Sequence, residues 1–309
     1  MNAVRFGIDI GGTKTAIVGI SPAGEVIVKR VFATEPARGL EDFLTRCKTA
    51  YQEALAESGA DRPPAAVGVA SPGPLDLARG IMYDSPNLHW GDVPLVDRLE
   101  QTLETKILLQ NDANAAALGE YLFGAGRGSR CLVYVTMSTG IGGGVVVDGR
   151  LWAGSSGNAA EFGHLTLVPG GEECGCGLKG CWEAYASGTA LARLGRQVTG
   201  REVSARDIGR AWSDQAPWAD EIIARAARYS GQAVAIIVQS FDPDRLVFGG
   251  GVALGLGRRY LDLVLAEAER FCLNFRVRRP HFTLAALGGD SALFGAAALP
   301  EANLGIGRY

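Results

Sequence analysis

Apolar residues along the chain fall into short runs that alternate with stripes at helical spacing, the pattern of a mixed α/β protein. Phe6-Gly7-Ile8-Asp9-Ile10 predicts a strand, Gly11-Gly12-Thr13-Lys14 a turn, and Thr15–Ile20 a second strand. The same shape recurs downstream, with a strand over Leu132–Met137 and a turn at Ser138-Thr139-Gly140-Ile141-Gly142. Its second strand, Gly143–Val147, stops at Asp148-Gly149. Two hairpins tipped with glycine and threonine imply a duplicated unit. Between them the pattern predicts a helix over Leu40–Ser58, strands over Ala66–Ala70 and Ile107–Leu109, and a helix over Ala113–Phe123. Further on, Tyr185–Thr199, Ala219–Phe241 and Leu256–Asn274 carry helical stripes. Leu246-Val247-Phe248 reads as a buried strand delivering Gly249-Gly250-Gly251. A strand over Phe282–Ala286 and a helix over Ser291–Ala298 close the pattern. The expected architecture is α/β with two lobes and a cleft between them, 1–110 plus 291–309 and 111–290.

One segment escapes both periodicities. Cys174-Gly175-Cys176-Gly177-Leu178-Lys179-Gly180-Cys181 is a glycine-rich curl that can bring its sulfurs together, and His164 lies ten positions before it. Three thiols and an imidazole suit the closed tetrahedral geometry of a structural Zn²⁺ site. Leu165–Glu173 reads as a short strand and a turn that lets the four ligands meet. Buried thiols, or one disulfide and a spare cysteine, are the alternative. Glu161 and Glu183 flank the motif, so a metal knot there would orient two carboxylates and an imidazole.

Composition narrows the class. A chain of 309 residues, 47% hydrophobic, can bury a large core. A net charge of −3 without a basic run argues against nucleic acid as a partner. The longest apolar run, Ala233–Val238, is too short to span a bilayer, so no membrane partner is expected, and no apolar leader precedes Val4. Cys47, Cys131 and Cys272 are scattered in apolar surroundings, which with the metal spacing indicates a reducing compartment. The expectation is a soluble cytoplasmic protein. Many of the 43 glycines cluster at predicted strand ends, where backbone can approach a ligand closely.

The turns supply candidate chemistry. Asp9, Gly11, Gly12, Thr13 and Lys14 combine backbone N–H groups, a hydroxyl, an ammonium and a carboxylate, which suits a nucleotide phosphate tail with Mg²⁺. An ordinary hairpin turn would look the same, but a second one with Thr139 and Gly140 could clamp the tail from its other side. Asn111-Asp112-Ala113-Asn114 stands at a junction of strand and helix, where Asp112 could cap the helix or act as general base in phosphoryl transfer. Glu161, His164, Glu183 and the Asn111 amide offer the donors and acceptors that several sugar hydroxyls need. The first three could equally only surround the metal. Asn87 could add a contact or simply shape a turn.

These motifs occur in the order of the ROK family of bacterial sugar kinases and sugar-responsive repressors, which the chain resembles from Phe6 to about Ala298. The resemblance is carried by Asp9–Lys14, Asn111–Asn114, Ser138–Gly144, Glu161–His164 and Cys174–Glu183. It implies the actin-like ATPase fold, a duplicated ribonuclease H-like design with a structural zinc knot. It further implies ATP-dependent phosphorylation of a hexose at its 6-hydroxyl, glucose foremost. Ser71–Asp76, Asp84–Leu88 and Cys181–Gly188 resemble the glucokinase branch. By that resemblance Gly12, Thr13, Lys14 and Thr139 contact ATP phosphates, Asp9 associates with Mg²⁺, and Gly249-Gly250-Gly251 lies on the adenosine side. Asp112 is then the general base, and Asn111, Asp112, Glu161, His164 and Glu183 hold the sugar. Ala160 departs from the pattern, standing where many relatives carry glycine, which leaves the sugar open. N-acetylmannosamine, N-acetylglucosamine, mannose and fructose are the alternative substrates. A repressor without its DNA-binding domain is the distant one, disfavoured because the first hairpin starts at Phe6 and Asp112 is intact. A homodimer or homotetramer is expected from the same resemblance.

Overall fold

β1 (Arg5–Ile10) and β2 (Lys14–Ile20) form the first hairpin, and β3 (Val26–Ala33) pairs antiparallel with β2 at the sheet edge. The computed structural model describes residues 4–60 and 62–302. α1 (Leu40–Glu57) turns Phe43, Leu44, Cys47, Tyr51 and Ala54 into the core, a stripe at helical spacing. β4 (Ala66–Ser71) then runs parallel to β1. A small β5–β6 pair (Leu75–Asp76 and Ile81–Met82) and α2 (Leu95–Leu103) lead to β7 (Lys106–Asn111), which is parallel to β4. The resulting order is β3-β2-β1-β4-β7. α3 (Asp112–Phe123) starts directly where β7 ends.

The design then repeats. β8 (Cys131–Met137) and β9 (Ile141–Val147) form the second hairpin, and β10 (Arg150–Leu151) comes after the turn at Asp148-Gly149. α4 (Glu183–Ala186), α5 (Gly188–Thr199), α6 (Ala205–Ser213) and α7 (Pro217–Phe241) precede β11 (Arg245–Gly249), which is parallel to β8. α8 (Gly250–Ala268) leads to β12 (His281–Leu284), parallel to β11, and α9 (Ser291–Ala298) is the last helix described. In each sheet a hairpin is joined by two parallel strands, β2-β1-β4-β7 in one and β9-β8-β11-β12 in the other. The duplication expected from the hairpins is therefore present in the topology.

Two compact units result. One comprises Met1–Arg127, Gly149–Ala159 and Asp290–Tyr309, and the other Gly128–Asp148 and Ala160–Gly289. The sequence-based boundary at 110/111 differs because it parts α3 from the helix it packs on; the ends of the expected lobes, 1–3 and 303–309, lie outside the described residues. α9 crosses α3 so closely that a Cβ on Gly295 would strike the Ala115 carbonyl, and one on Gly119 the Ser291 carbonyl. The same helix lies over Gly68 of β4, whose missing Cβ leaves room for the Ala296 backbone. Ser291 Oγ also donates to the fully buried Glu120 of α3 at 2.8 Å. The core of the second unit gathers on Trp182, fully buried, which donates to Ser230 Oγ at 3.1 Å. Ser230 in turn lies 2.9 Å from the Tyr260 hydroxyl, so the polar atoms of this core are mutually satisfied.

Several expected elements differ in extent. The helix expected over Tyr185–Thr199 is two, because Ser187 is extended and its side chain accepts from Ala190 N as the N-cap of α5. The helix expected from Leu256 begins at Gly250 and kinks at Gly257, where φ is 67°. Leu165–Glu173 forms no regular strand, only two isolated antiparallel bridges, Thr166 to Cys181 and Glu173 to Lys179. Among the described residues, no helix is long and apolar enough to cross a membrane.

Candidate functional site

The first unit gathers Asp9, Gly11–Lys14, Asn87, Asn111 and Asp112. The β1–β2 turn is held from just past the end of β3, where Thr34 Oγ1 donates to Gly11 O at 2.6 Å and Thr34 N to Thr13 O at 3.0 Å. Gly11 N closes the turn on Lys14 O at 3.0 Å. Thr13 and Lys14 are left exposed at its tip. Asn87 is not a remote loop residue, since a Cβ on Gly12 would stand 2.9 Å from its carbonyl oxygen. Burial pushes the Asp9 carboxyl up to about 7. The Asp112 and Asp290 carboxylates push the same way, and Lys14 opposes them. The cost of ionising Asp9, set by burial and two neighbouring carboxylates, is what a hard divalent cation bound beside it would relieve.

At the β7–α3 junction, Asn111 rather than Asp112 is the cap. Asn111 is extended, and its Oδ1 accepts from Ala113 N at 2.9 Å and from Asn114 N at 3.3 Å. Asp112 is the first helical residue, with Oδ1 accepting from Ala113 N at 2.7 Å. Its negative charge sits on the first turn of a twelve-residue helix, where the macrodipole favours it. Capping is thus Asn111's task, and the Asn111 amide nitrogen is not needed for it.

The second unit gathers Thr139, Gly140, Gly250, Glu161, His164, Glu183 and the cysteines. β11 pairs Gly249 with Thr136, so Gly250 lies just past this pair, beside the end of β8. Gly250 has φ 82°, a backbone conformation that favours glycine, and a Cβ there would meet Met137 O and Thr136 Oγ1. Glu183 opens α4 and uses both oxygens: Oε2 accepts from Ile141 N at 2.7 Å, and Oε1 lies 3.6 Å from Cys174 Sγ. Glu161 is exposed, yet the protein around it removes enough hydration to push its carboxyl up. His164 opposes that shift and Glu183 adds to it. Ala160 before it has φ 66°, which explains why glycine suits this position.

His164, Cys174, Cys176 and Cys181 place their ligand atoms within 4.8 Å of one another. His164 Nδ1 is 3.7 Å from Cys174 Sγ, and Cys176 Sγ is 3.8 Å from Cys181 Sγ. A tetrahedral Zn²⁺ with Zn–S bonds of about 2.3 Å needs ligand separations of about 3.8 Å, so the donor set fits zinc. With Nδ1 facing the cluster, Nε2 of His164 remains for another partner. Burial pushes the Cys174 thiol up to about 12 and raises Cys181 as well, so a thiolate set here needs a bound cation's charge. The surrounding loop is pinned: Glu172 pairs with Arg193 at 2.7 Å and Arg225 at 3.3 Å, and its N–H donates to Tyr185 Oη at 2.8 Å.

Sequence reasoning missed Thr34 and Thr189, which hold the two turns. Thr189 Oγ1 donates to Thr139 O at 2.9 Å. The Ser187-Gly188-Thr189 string after Glu183 carries a helix-start signal that could have drawn attention to it.

A family model described as the ROK family matches residues 5–303, and the chain belongs to that family. It is 32% identical over 305 residues to a glucokinase of Halalkalibacterium halodurans, covering 94% of this chain and 92% of the relative. The solved structure of a ROK hexokinase from Thermus thermophilus superposes with a TM-score of 0.86 at 39% identity, over 96% of this chain and 97% of that one. A ROK family glucokinase from Streptomyces griseus, solved in complex with glucose and AMPPNP, gives a TM-score of 0.81 at 35% identity, over 96% and 99%.

Proposed function

We propose that this protein is an ATP-dependent hexokinase that phosphorylates glucose at its 6-hydroxyl. What carries the reading is the similarity over 94% of the chain to a protein named glucokinase, joined to the full set of motif residues described above. On this reading Asn111 and Asp112 bind the reacting end of the sugar, and Asp112 takes the proton of the 6-hydroxyl as its oxygen attacks the γ-phosphorus. The bond from that phosphorus to the bridging oxygen breaks, and ADP leaves with the electron pair. Glu161, His164 through Nε2, and Glu183 receive the other hydroxyls, with Asn87 near the first turn as a further contact.

Gly11, Gly12, Thr13, Lys14, Thr139 and Gly140 bind the phosphates, and Gly250 borders the adenosine. Mg²⁺, when bound toward Asp9, offsets phosphate charge. His164, Cys174, Cys176 and Cys181 would hold Zn²⁺, which fixes the loop that carries His164 and Glu183. A cytoplasmic homodimer or homotetramer completes the reading. The test is ADP release, measured by a coupled assay over hexoses and N-acetylhexosamines, with ATP and polyphosphate as donors. The highest kcat/KM is expected for glucose with ATP. A clear preference for an N-acetylhexosamine, or no ADP with any hexose, overturns the substrate assignment.

A further inference from the structure

The β8–β9 turn is tied down from one side, by the segment that leaves the cysteine cluster. Gly188 N donates to Ser138 O at 2.7 Å, and Thr189 donates to Thr139 O through N at 3.2 Å and Oγ1 at 2.9 Å. Glu183 Oε2 accepts from Ile141 N at 2.7 Å. Gly188 allows this approach, because a Cβ there would stand 2.7 Å from Ser138 O. Ser138 N closes the turn on Gly140 O at 2.8 Å. Trp182, beside Glu183, is locked in the core through Ser230 and Tyr260, so the tether is anchored on α7 and α8.

A trans peptide holds its C=O and N–H antiparallel. With the carbonyls of Ser138 and Thr139 drawn onto the start of α5, the N–H groups of Thr139 and Gly140 point away from that helix, on the same side. A glycine-rich turn left free would sample many orientations of those N–H groups. Tethered, it presents two donors and the Thr139 hydroxyl in one arrangement, which is what stabilisation of a phosphate charge requires.

We propose that residues 183–189 are the positioning element of this turn, with Glu183 and Thr189 acting on nucleotide affinity through it. One Glu183 oxygen thereby holds the phosphate turn while the other faces the cysteine cluster, in addition to the place of this residue among the sugar contacts. The proposal rests on reading the 138–141 turn as a phosphate site, and its test separates the two ideas.

Hydrogen exchange of the peptide covering 138–141, and calorimetric binding of AMP-PNP with Mg²⁺, are measured on wild type, Thr189→Val, Thr189→Ser, Glu183→Ala and Glu183→Gln. Zinc content is checked for each variant, so that damage to the cysteine cluster is seen separately. Thr189→Val should speed exchange and weaken AMP-PNP about 3- to 10-fold, as expected for one lost neutral hydrogen bond, and Thr189→Ser should restore both. Glu183→Ala should weaken AMP-PNP about 10-fold or more, while Glu183→Gln, whose amide oxygen still accepts from Ile141 N, should recover most of the loss. Unchanged exchange in Thr189→Val and Glu183→Ala overturns the positioning role and leaves the phosphate reading standing. Faster exchange with unchanged AMP-PNP affinity overturns the proposal together with the phosphate reading of the turn.

Discussion

Replacing Asp9 by Asn should make stability less dependent on pH, in a direction the site fixes. The Asp9 carboxyl is raised from an ordinary 3.8 to about 7, by burial first and then by Asp112 and Asp290. A carboxylate raised in the folded state favours folding fully below its unfolded pKa and loses that contribution as pH climbs through the folded value. The window is therefore 3.8 to about 7, and wild type loses stability across it as Asp9 ionises. At about 1.36 kcal/mol per unit, the shift of about 3 units amounts to roughly 4 kcal/mol at most. Asp9 is half-buried, and the solvent that reaches it reduces the realistic figure to about 2 kcal/mol. Asn does not titrate, so Asp9→Asn should gain about 1–2 kcal/mol on wild type between about pH 5 and about pH 8. Urea unfolding of both proteins at the two pH values measures the gap, and groups common to both cancel. Mg²⁺ with a nucleotide should narrow the gap by favouring the ionised carboxylate of wild type. A gap that stays constant with pH within about 0.5 kcal/mol refutes the reasoning about the Asp9 environment.

Asp112→Asn should lower turnover by about 10²-fold or more while changing sugar affinity far less, because Asn cannot take the proton; steady-state kinetics and sugar titration check it. Glu161→Gln should instead weaken sugar binding at least as much as turnover, in the same two measurements. Elemental analysis should find one zinc per chain, and Cys181→Ser should lose it and cost several kcal/mol of stability on the order expected for a structural site, read by chemical unfolding. Ala160→Gly should stabilise the protein by about 1 kcal/mol, since φ of 66° is unfavourable for alanine, and thermal unfolding reads the gain. Gly295→Ala should cost at least about 1–3 kcal/mol, because its Cβ falls on the Ala115 carbonyl, and the same unfolding measurement reads the loss.

Both hairpins and the metal cluster were legible because their signals are local. Alternation ends abruptly at glycine and threonine, and Cys174–Cys181 can curl in only a few ways. β3 was not legible: Val26, Ile27 and Val31 are exposed on an edge strand, and Lys29 and Arg30 interrupt the run. α2 and α6 were missed because nine residues offer too few turns for a stripe to stand out, Ile208 and Trp212 being the buried pair in α6. Residue type could not tell whether Asn111 or Asp112 caps α3, since both cap well and only the backbone angle at Asn111 separates them. Glu183's hold on Ile141 joins residues 42 positions apart, beyond the reach of any sequence pattern.

The position of α9 in the chain has a consequence for biosynthesis. β1, β4 and α3 are translated early, yet the seam at Gly7, Gly68 and Gly119 is filled by Ser291–Ala298. On the ribosome the first unit therefore waits, its glycine-lined groove open, until residues 291–298 have emerged. The second unit, whose residues are all made before Ser291, can assemble its core first. That reverses the usual order, in which the amino-terminal part folds ahead of the carboxy-terminal part.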